Sequence, residues 1–305
     1  MKENQASLTA ISVAYMRAYH ARHAADKIFD DFLAYDIIPE DKLEQIEQHL
    51  TSWDKQLNGY TDTESLFDQK ITSEFIIQGI SSVVSRARYT EDTLEKAVGQ
   101  GVKQYVILGA GMDTFAFRRP DLIDQLEVFE VDHPATQEFK LRRLAELGWE
   151  HPANLHFVSV DFTKEDLSTA LTRSSAFDSK IKSFFSWFGV TPYLTQEEVF
   201  TTLRSVANVA PGGSAIVFDY TDTDAFVPEK LSQQMQDSLE FLEKIGEPIK
   251  TGGFIPSRLA EDLASLGFRL KENLSPADIE DCYLKGYKYK YHAFDYVYFA
   301  CAVVE

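Results

Sequence analysis

Gln104-Tyr105-Val106-Ile107-Leu108-Gly109-Ala110-Gly111-Met112-Asp113-Thr114 is the stretch from which the fold can be read. A short apolar run rich in β-branched and aromatic residues breaks at two glycines that flank Ala110. Without a Cβ, Gly109 and Gly111 allow a tight strand-to-loop turn and a close backbone approach to a ligand. A second strand-like run, Val128-Phe129-Glu130-Val131, ends in Asp132. The separation of about twenty residues is that of a ribose-binding acid at the tip of the second strand of a doubly wound sheet. Together the two features predict a nucleoside ligand.

Downstream of this pair, strand and helix patterns alternate. Pro134 suits the first turn of a helix that runs to Leu147, where Gly148 stops it. Residues 155–160 form a third strand closed by Asp161-Phe162, and Thr163 with Asp166 forms an N-cap signal. Residues 183–188 are a fourth strand. Thr195-Gln196-Glu197-Glu198 is a capping box for a helix to Val209, and Pro211-Gly212-Gly213 turns the chain into a fifth strand over 214–220. A helix capped by Ser257, a strand at Phe268–Leu274, a short helix from Ser275-Pro276-Ala277-Asp278 and a terminal strand at 295–304 complete the pattern. Tyr283, Tyr287, Tyr289 and Tyr291 interleave with lysines before that strand, as in a loop packed by tyrosine rings.

Upstream, residues to about 98 read as helix. Ala10, Val13, Ala14 and Arg17 recur at helical spacing, as do Ile28, Phe32 and Leu33, then Leu43, Ile46 and Leu50. A further amphipathic segment runs from Ser65 through Phe67, Ile71, Phe75 and Ile76 towards Val83. A short helix from Glu91 to Val98 ends at Gly99. The expected organisation is a single domain: a helical cap over 1–100, an α/β core over 101–220 and 257–305, and an inserted lid over 221–256 holding one helix at 229–245. An insertion after a strand's C-terminal end lies on the ligand edge of an open α/β sheet.

Composition narrows the class. Of 305 residues, 48 are acidic and 30 basic, a net charge of -18 that repels phosphate backbones and argues against nucleic acid. The two cysteines, Cys282 and Cys301, form no Cys-x-x-Cys pair, so neither a disulfide framework nor a thiolate metal site is expected. No apolar leader or membrane-length run is present, which points to a cytoplasmic protein.

Two cofactor classes suit a glycine loop after strand one and an acid after strand two. A dinucleotide fold wants a third glycine where this chain has Thr114, and Pro120 interrupts the helix a pyrophosphate would need. S-adenosylmethionine has no pyrophosphate and fits better. Asp161 is placed to accept from its adenine amino group, with Phe162 against the ring.

Leu108-Gly109-Ala110-Gly111-Met112-Asp113-Thr114 with Phe117-Arg118 resembles the signature of the leucine carboxyl methyltransferase-like family, which includes bacterial polyketide O-methyltransferases. The resemblance continues through Val128 to Pro134, Lys140, Val160-Asp161-Phe162, Gly189-Val190-Thr191-Pro192-Tyr193-Leu194-Thr195 and Ala210 to Ser214, and covers most of residues 7–220. It implies a class I, Rossmann-like methyltransferase fold: a mostly parallel seven-stranded sheet with helices on both faces. By the same resemblance, Arg86 holds the cofactor's carboxylate, with Arg88 as an alternative and Arg17 as a second basic residue. A guanidinium meets a carboxylate bidentately. Gly109, Ala110 and Gly111 would line the methionine portion, Asp132 the ribose, and Asp161 with Phe162 the adenine. The family often carries an acid where this chain has Phe188.

The implied reaction is transfer of a methyl group from S-adenosylmethionine to an oxygen of a small molecule or a peptide C-terminus. A carboxylate acceptor needs no base; a phenol or alcohol needs one, with His133, His292 and Asp219 as candidates. Asp113 suits a helix cap as well as a cofactor contact. Glu130 reads as a structural partner, His133 as structural, and Trp187 with Phe188 as sheet core. The competing classes are a nicotinamide-dependent oxidoreductase and a non-catalytic nucleoside-binding protein.

Overall fold

The computed structural model describes residues 6–58, 73–162, 164–250, 253–287 and 291–305. Three helices come first: α1 (Leu8–His23), α2 (Glu40–Asn58) and α3 (Glu74–Gly99). Then follow β1 (Gln104–Leu108), the short α4 (Phe115–Arg118) and α5 (Pro120–Ile123), β2 (Glu127–Asp132), α6 (Pro134–Leu147), β3 (Leu155–Ser159), α7 (Leu167–Arg173), β4 (Ser183–Trp187), α8 (Gln196–Val209) and β5 (Ala215–Thr221). The insertion contributes α9 (Gln233–Lys244), and the chain closes with α10 (Leu259–Ser265), β6 (Phe268–Leu274), α11 (Pro276–Ile279) and β7 (Val297–Val304).

The strands form one sheet in the order β3-β2-β1-β4-β5-β7-β6. Pairing is parallel from β3 to β5, and β7 runs antiparallel between β5 and β6. All five residues of β1 are buried, because helices cover both faces of a parallel sheet. Successive side chains then serve opposite faces: Tyr105 and Ile107 join one core, Val106 and Leu108 the other. The first core also takes in Ile11 and Tyr15 of α1, Trp53 of α2 and Ile80 of α3. The N-terminal helices therefore share an interior with one face of the sheet. At the opposite edge, β6 keeps Arg269, Lys271 and Glu272 off the buried side, and its register slips at Leu270/Glu272, a bulge of the kind that blunts edge pairing.

Several local readings change. Residues 24–39 form turns rather than the helix suggested by Ile28, Phe32 and Leu33. The Ile28 amide donates to Nε2 of His20 (3.0 Å) instead of to a helical carbonyl, and Phe32 is exposed. The two segments expected before Gly99 are one continuous helix, α3, and Gly99 is its last residue. Asp166 itself caps α7, accepting from the Thr169 amide, whereas Thr163 lies outside the described residues. Ser257 caps nothing: Pro256–Arg258 is a 3-10 turn and α10 begins without a side-chain cap. The insertion helix is shorter than expected, starting at Gln233 behind Ser232, which caps it. Ser65, Phe67, Ile71, Thr251, Gly252 and Tyr289 lie outside the described residues. The capping box at Thr195 and Glu198 and the one at Ser275 and Asp278 are both formed. Among the described residues, no helix is long and apolar enough to cross a membrane.

His20 is buried where α1 meets the loop after α11. Because its Nε2 accepts from the Ile28 amide, its proton sits on Nδ1, which donates to the Tyr291 hydroxyl (2.9 Å). Burial pushes its pKa down to about 4. A base whose folded pKa lies below its unfolded value of 6.5 adds stability above that value and loses it as pH falls through about 4. Unfolding by denaturant between pH 7 and pH 4 should therefore show His20→Gln losing less stability than the parent, by about 3 kcal/mol. Parallel curves for the two proteins would exclude this role.

Candidate functional site

The order of strands reverses at β1, which has β2 on one side and β4 on the other, and open α/β sheets bind ligands beyond the strand ends at that point. A cavity of about 560 Å³ lies there. The loop after β1 forms its floor, the tips of β2 and β3 one end, and the tip of β4 with α3 the other. Residues 7–17 of α1 and its cap, and Glu247-Pro248 of the insertion, also line it.

The glycine loop is held mostly by backbone. The Gly109 and Ala110 amides both donate to the Val131 carbonyl (2.8 and 3.1 Å). Asp132, at the end of β2, accepts from the Gly111 amide with one carboxylate oxygen and from the His133 amide with the other. Burial pushes the Asp132 pKa upward, against these two donors. Gly109 has φ +73° and Gly111 φ +53°, a region that favours glycine. The close approach they permit is partly to the protein itself. A Cβ on Gly109 would stand 2.3 Å from Cγ2 of Val190, and one on Gly111 would stand 3.1 Å from Cβ of Ala10.

Behind the loop, Lys140 of α6 donates from Nζ to the Asp113 carbonyl (2.7 Å) and to the Glu130 carboxylate, both side chains being 1% exposed. Asp113 accepts from the Phe115 amide (2.6 Å) and so caps α4. Both residues hold structure in the way their sequence positions suggested. Asp161 pairs with Lys164 (3.0 Å) and faces Nε2 of His133 at 3.8 Å; Phe162 beside it lines the cavity.

At the β4 end, the Arg86 guanidinium of α3 contacts Asp219 of β5 (2.6 Å) while its buried Nε has no hydrogen-bond partner. Asp219 also accepts from the Gly189 amide (2.9 Å), and burial raises its pKa. Arg88 points elsewhere, pairing with Asp92 on an exposed face, and does not line the cavity. Arg17 lines it, with Nε on Asp31 (2.7 Å) and Nη2 on the Met112 carbonyl (2.7 Å). Asp31 accepts as well from the Thr114 hydroxyl (2.6 Å) and lies near Arg118, which pairs with Glu91.

All eight residues expected at the cofactor, Arg17, Arg86, Gly109, Ala110, Gly111, Asp132, Asp161 and Phe162, line this one cavity. Of the candidate bases, His133 lines it but uses Nδ1 to accept from the Ala135 amide, capping α6. Asp219 and His292 are not part of the wall; His292 contacts Glu280 on the surface. Sequence reading missed Glu247, whose carboxylate accepts from the Leu8 and Thr9 amides (2.8 and 3.2 Å) and from the Ser7 hydroxyl (3.0 Å). An acid suits a helix N-terminus, where free amides and the helix dipole meet it. Nothing local to Gly246-Glu247-Pro248 reveals a partner 240 residues away.

If Val190 is what Gly109 must accommodate, the two positions are coupled. Gly109→Ala should lower stability by about 2–5 kcal/mol, combining a left-handed backbone penalty with overpacking. In a double-mutant cycle of denaturation free energies, Val190→Ala should relieve about 1–3 kcal/mol of that. Additive effects would show that the contact imposes nothing.

Comparison with known proteins agrees with the geometry. The family model for leucine carboxyl methyltransferase matches residues 10–207. The protein YktD of Bacillus subtilis (strain 168), provisionally described as an S-adenosyl-L-methionine-dependent methyltransferase, is 36% identical over 99% of each chain. A Mycolicibacterium paratuberculosis protein with the same provisional description is 37% identical over 45% of this chain and 42% of its own. A DUF574 family protein from Streptomyces avermitilis shares the fold over 99% of this chain and 98% of its own, with a TM-score of 0.59 at 14% identity. The chain thus belongs to the leucine carboxyl methyltransferase family and is an S-adenosylmethionine-dependent methyltransferase.

Proposed function

We propose that the acceptor is a carboxylate oxygen of a small molecule, so that the product is a methyl ester. The observation that carries this reading is the state of the acids lining the cavity. Asp31, Glu91, Asp113, Asp132, Asp161 and Glu247 all line it, and each already accepts from, or is ion-paired with, a protein group. His133 accepts at Nδ1, so in its neutral form the proton is on Nε2, the nitrogen left to face the cavity, which then has nothing with which to take up a proton. Burial pushes Tyr193 up to about 12 and Tyr105 well above the ordinary phenol value, so neither is a base near neutral pH. Every carboxylate and the histidine among the described cavity-lining residues is thus already engaged by a protein group, which supports an acceptor that arrives already ionised. A carboxylate is ionised at neutral pH and needs no base.

The same wall suits the cofactor. S-adenosylmethionine, when bound, supplies an electrophilic methyl group on a positively charged sulfur. Arg86, with Nε unpartnered in a buried position, is the residue we assign to its carboxylate. Arg17 adds positive charge to the cavity wall, although two of its nitrogens are occupied. Asp132 receives two amides on four lone-pair sites, leaving capacity for ribose hydroxyls. Asp161 and Phe162 form the adenine end, and Gly109, Ala110 and Gly111 the floor between the ends. The α1 cap and Glu247-Pro248 close the cavity from above, excluding the water that would compete with the acceptor.

Transfer of labelled methyl from S-adenosylmethionine to panels of carboxylic acids and phenols tests the reading. Label that is released as methanol by mild base marks an ester; label that resists base marks an ether. With a carboxylate acceptor, kcat/KM should stay flat from pH 6 to 8, whereas an uncatalysed phenol ionisation would raise it about tenfold per pH unit. Base-stable label with that pH slope would overturn the proposal. Asp132→Ala should weaken S-adenosylhomocysteine binding in calorimetry by about 10–100-fold, the worth of one or two charge-assisted hydrogen bonds. Unchanged affinity would remove Asp132 from the ribose.

A further inference from the structure

Asp31 belongs to the 24–39 turns, lines the cavity and is 1% exposed, and groups from α1, the glycine loop and α4 converge on its carboxylate. Arg17 of α1 donates from Nε to Oδ2 (2.7 Å). The Thr114 hydroxyl, at the end of the glycine loop, donates to Oδ1 (2.6 Å), and Nε of Arg118 stands 3.6 Å from the same oxygen. Arg118 is committed elsewhere, with its guanidinium on Glu91 and over the Phe29 ring. The Asp31 carboxylate therefore serves Arg17 first, with Thr114 holding its other oxygen.

Arg17 is held at a second point, since Nη2 donates to the Met112 carbonyl (2.7 Å). That leaves Nη1, which has no hydrogen-bond partner among the described residues and stays accessible in a side chain only 9% exposed. As Arg17 lines the cavity, Nη1 is the donor it can offer to a ligand. A guanidinium clamped at two of its nitrogens has already lost the freedom that ligand binding would otherwise take away. The Met16 side chain of α1 lies against Gly79 of α3, about two helical turns before Arg86. Arg17 and Arg86 thus reach the cavity from neighbouring helices.

Resting on the reading above that Arg86, with charge added by Arg17, meets the cofactor's carboxylate, we propose that Asp31 is a positioning residue for S-adenosylmethionine. It acts through Arg17, fixing the guanidinium so that Nη1 faces the carboxylate of the methionine portion. Its charge matters as much as its shape. Without an anion between them, the Arg17 and Arg118 guanidiniums would repel each other and Arg17 would be driven from its place.

The test compares S-adenosylhomocysteine with 5′-methylthioadenosine in calorimetric titrations of the full chain. The second ligand keeps the nucleoside and the sulfur but lacks the amino-acid carboxylate. Asp31→Asn should weaken S-adenosylhomocysteine by about 10–100-fold, the range of one hydrogen bond to a charged group, and change methylthioadenosine by less than about twofold. Arg17→Ala should show the same selectivity, and adding Asp31→Asn to it should then cost less than about twofold more. A loss shared equally by the two ligands in Asp31→Asn would make Asp31 purely structural and overturn the inference. So would additive losses in the double variant. If Arg17→Ala affects both ligands equally or neither, Arg17 is removed from the carboxylate and the inference falls with that reading. Selective loss in Arg17→Ala with none in Asp31→Asn would overturn the inference and leave the reading standing. Should Asp31→Asn fail to fold, Thr114→Val removes one donor to the same carboxylate and should weaken S-adenosylhomocysteine selectively by about 3–10-fold. Equal effects of Thr114→Val on the two ligands would again overturn the inference.

Discussion

Lys140 holds one ammonium between the Glu130 carboxylate of β2 and the Asp113 carbonyl at the end of the glycine loop. Through that contact the second strand, the following helix and the ligand loop become one unit. Both side chains are inaccessible, so each charge is tolerated only because of the other; a lone buried charge of this kind costs about 3–5 kcal/mol. Burial pushes Glu130 upward and Lys140 opposes it, with one Glu130 oxygen left without a hydrogen-bond partner. Everything the loop does depends on this fixed point. Gly111 can present its amide to Asp132, and Asp113 can cap α4, because the backbone between them is anchored from behind.

The N-terminal helices attach to this unit by charge as well as by packing. Arg17, Asp31, Thr114, Arg118 and Glu91 form a chain of contacts from α1 through the 24–39 turns to α4 and α3. The Arg118 guanidinium also lies over the Phe29 ring at 4.5 Å. The residues expected to bind ligand and the residues that fix the cap are therefore the same or adjacent. Arg17 shows this most directly, since it lines the cavity while orienting the loop.

The sheet was legible because its central strands, buried on both faces, read as uninterrupted apolar runs ended by glycine or an acid. Asp132, Asp161-Phe162 and the glycine pair were legible for the same reason: strand tips mark themselves. The capping boxes at Thr195 and Ser275 are local, and local signals survive folding. The 24–39 segment was misread because Ile28, Phe32 and Leu33 satisfy helical spacing, while its backbone is organised by the His20 imidazole, which takes the Ile28 and Phe29 amides in place of helical carbonyls, a side-chain role that apolar spacing does not encode. The continuity of α3 was hidden where Ser85-Arg86-Ala87-Arg88 breaks the apolar spacing and Arg86 and Ala87 turn to the cavity. Asp219 as partner of Arg86, and Glu247 as acceptor for the first amides of α1, were beyond reach because each is a contact between elements far apart in sequence.

The Glu247 contact bears on the order in which the molecule can be assembled. The first turn of α1 is completed by a side chain 238 to 240 residues further along the chain. Gly111 in turn packs against Ala10 in that same turn. During synthesis, then, the sheet order from β3 to β5 can be laid down while α1 has only its local cap, Ser7, and the Leu8 and Thr9 amides still await Glu247. The roof of the cavity becomes available only once the insertion has emerged. Closure is thus a late, long-range event, the kind of contact that is slow to find and cheap to release.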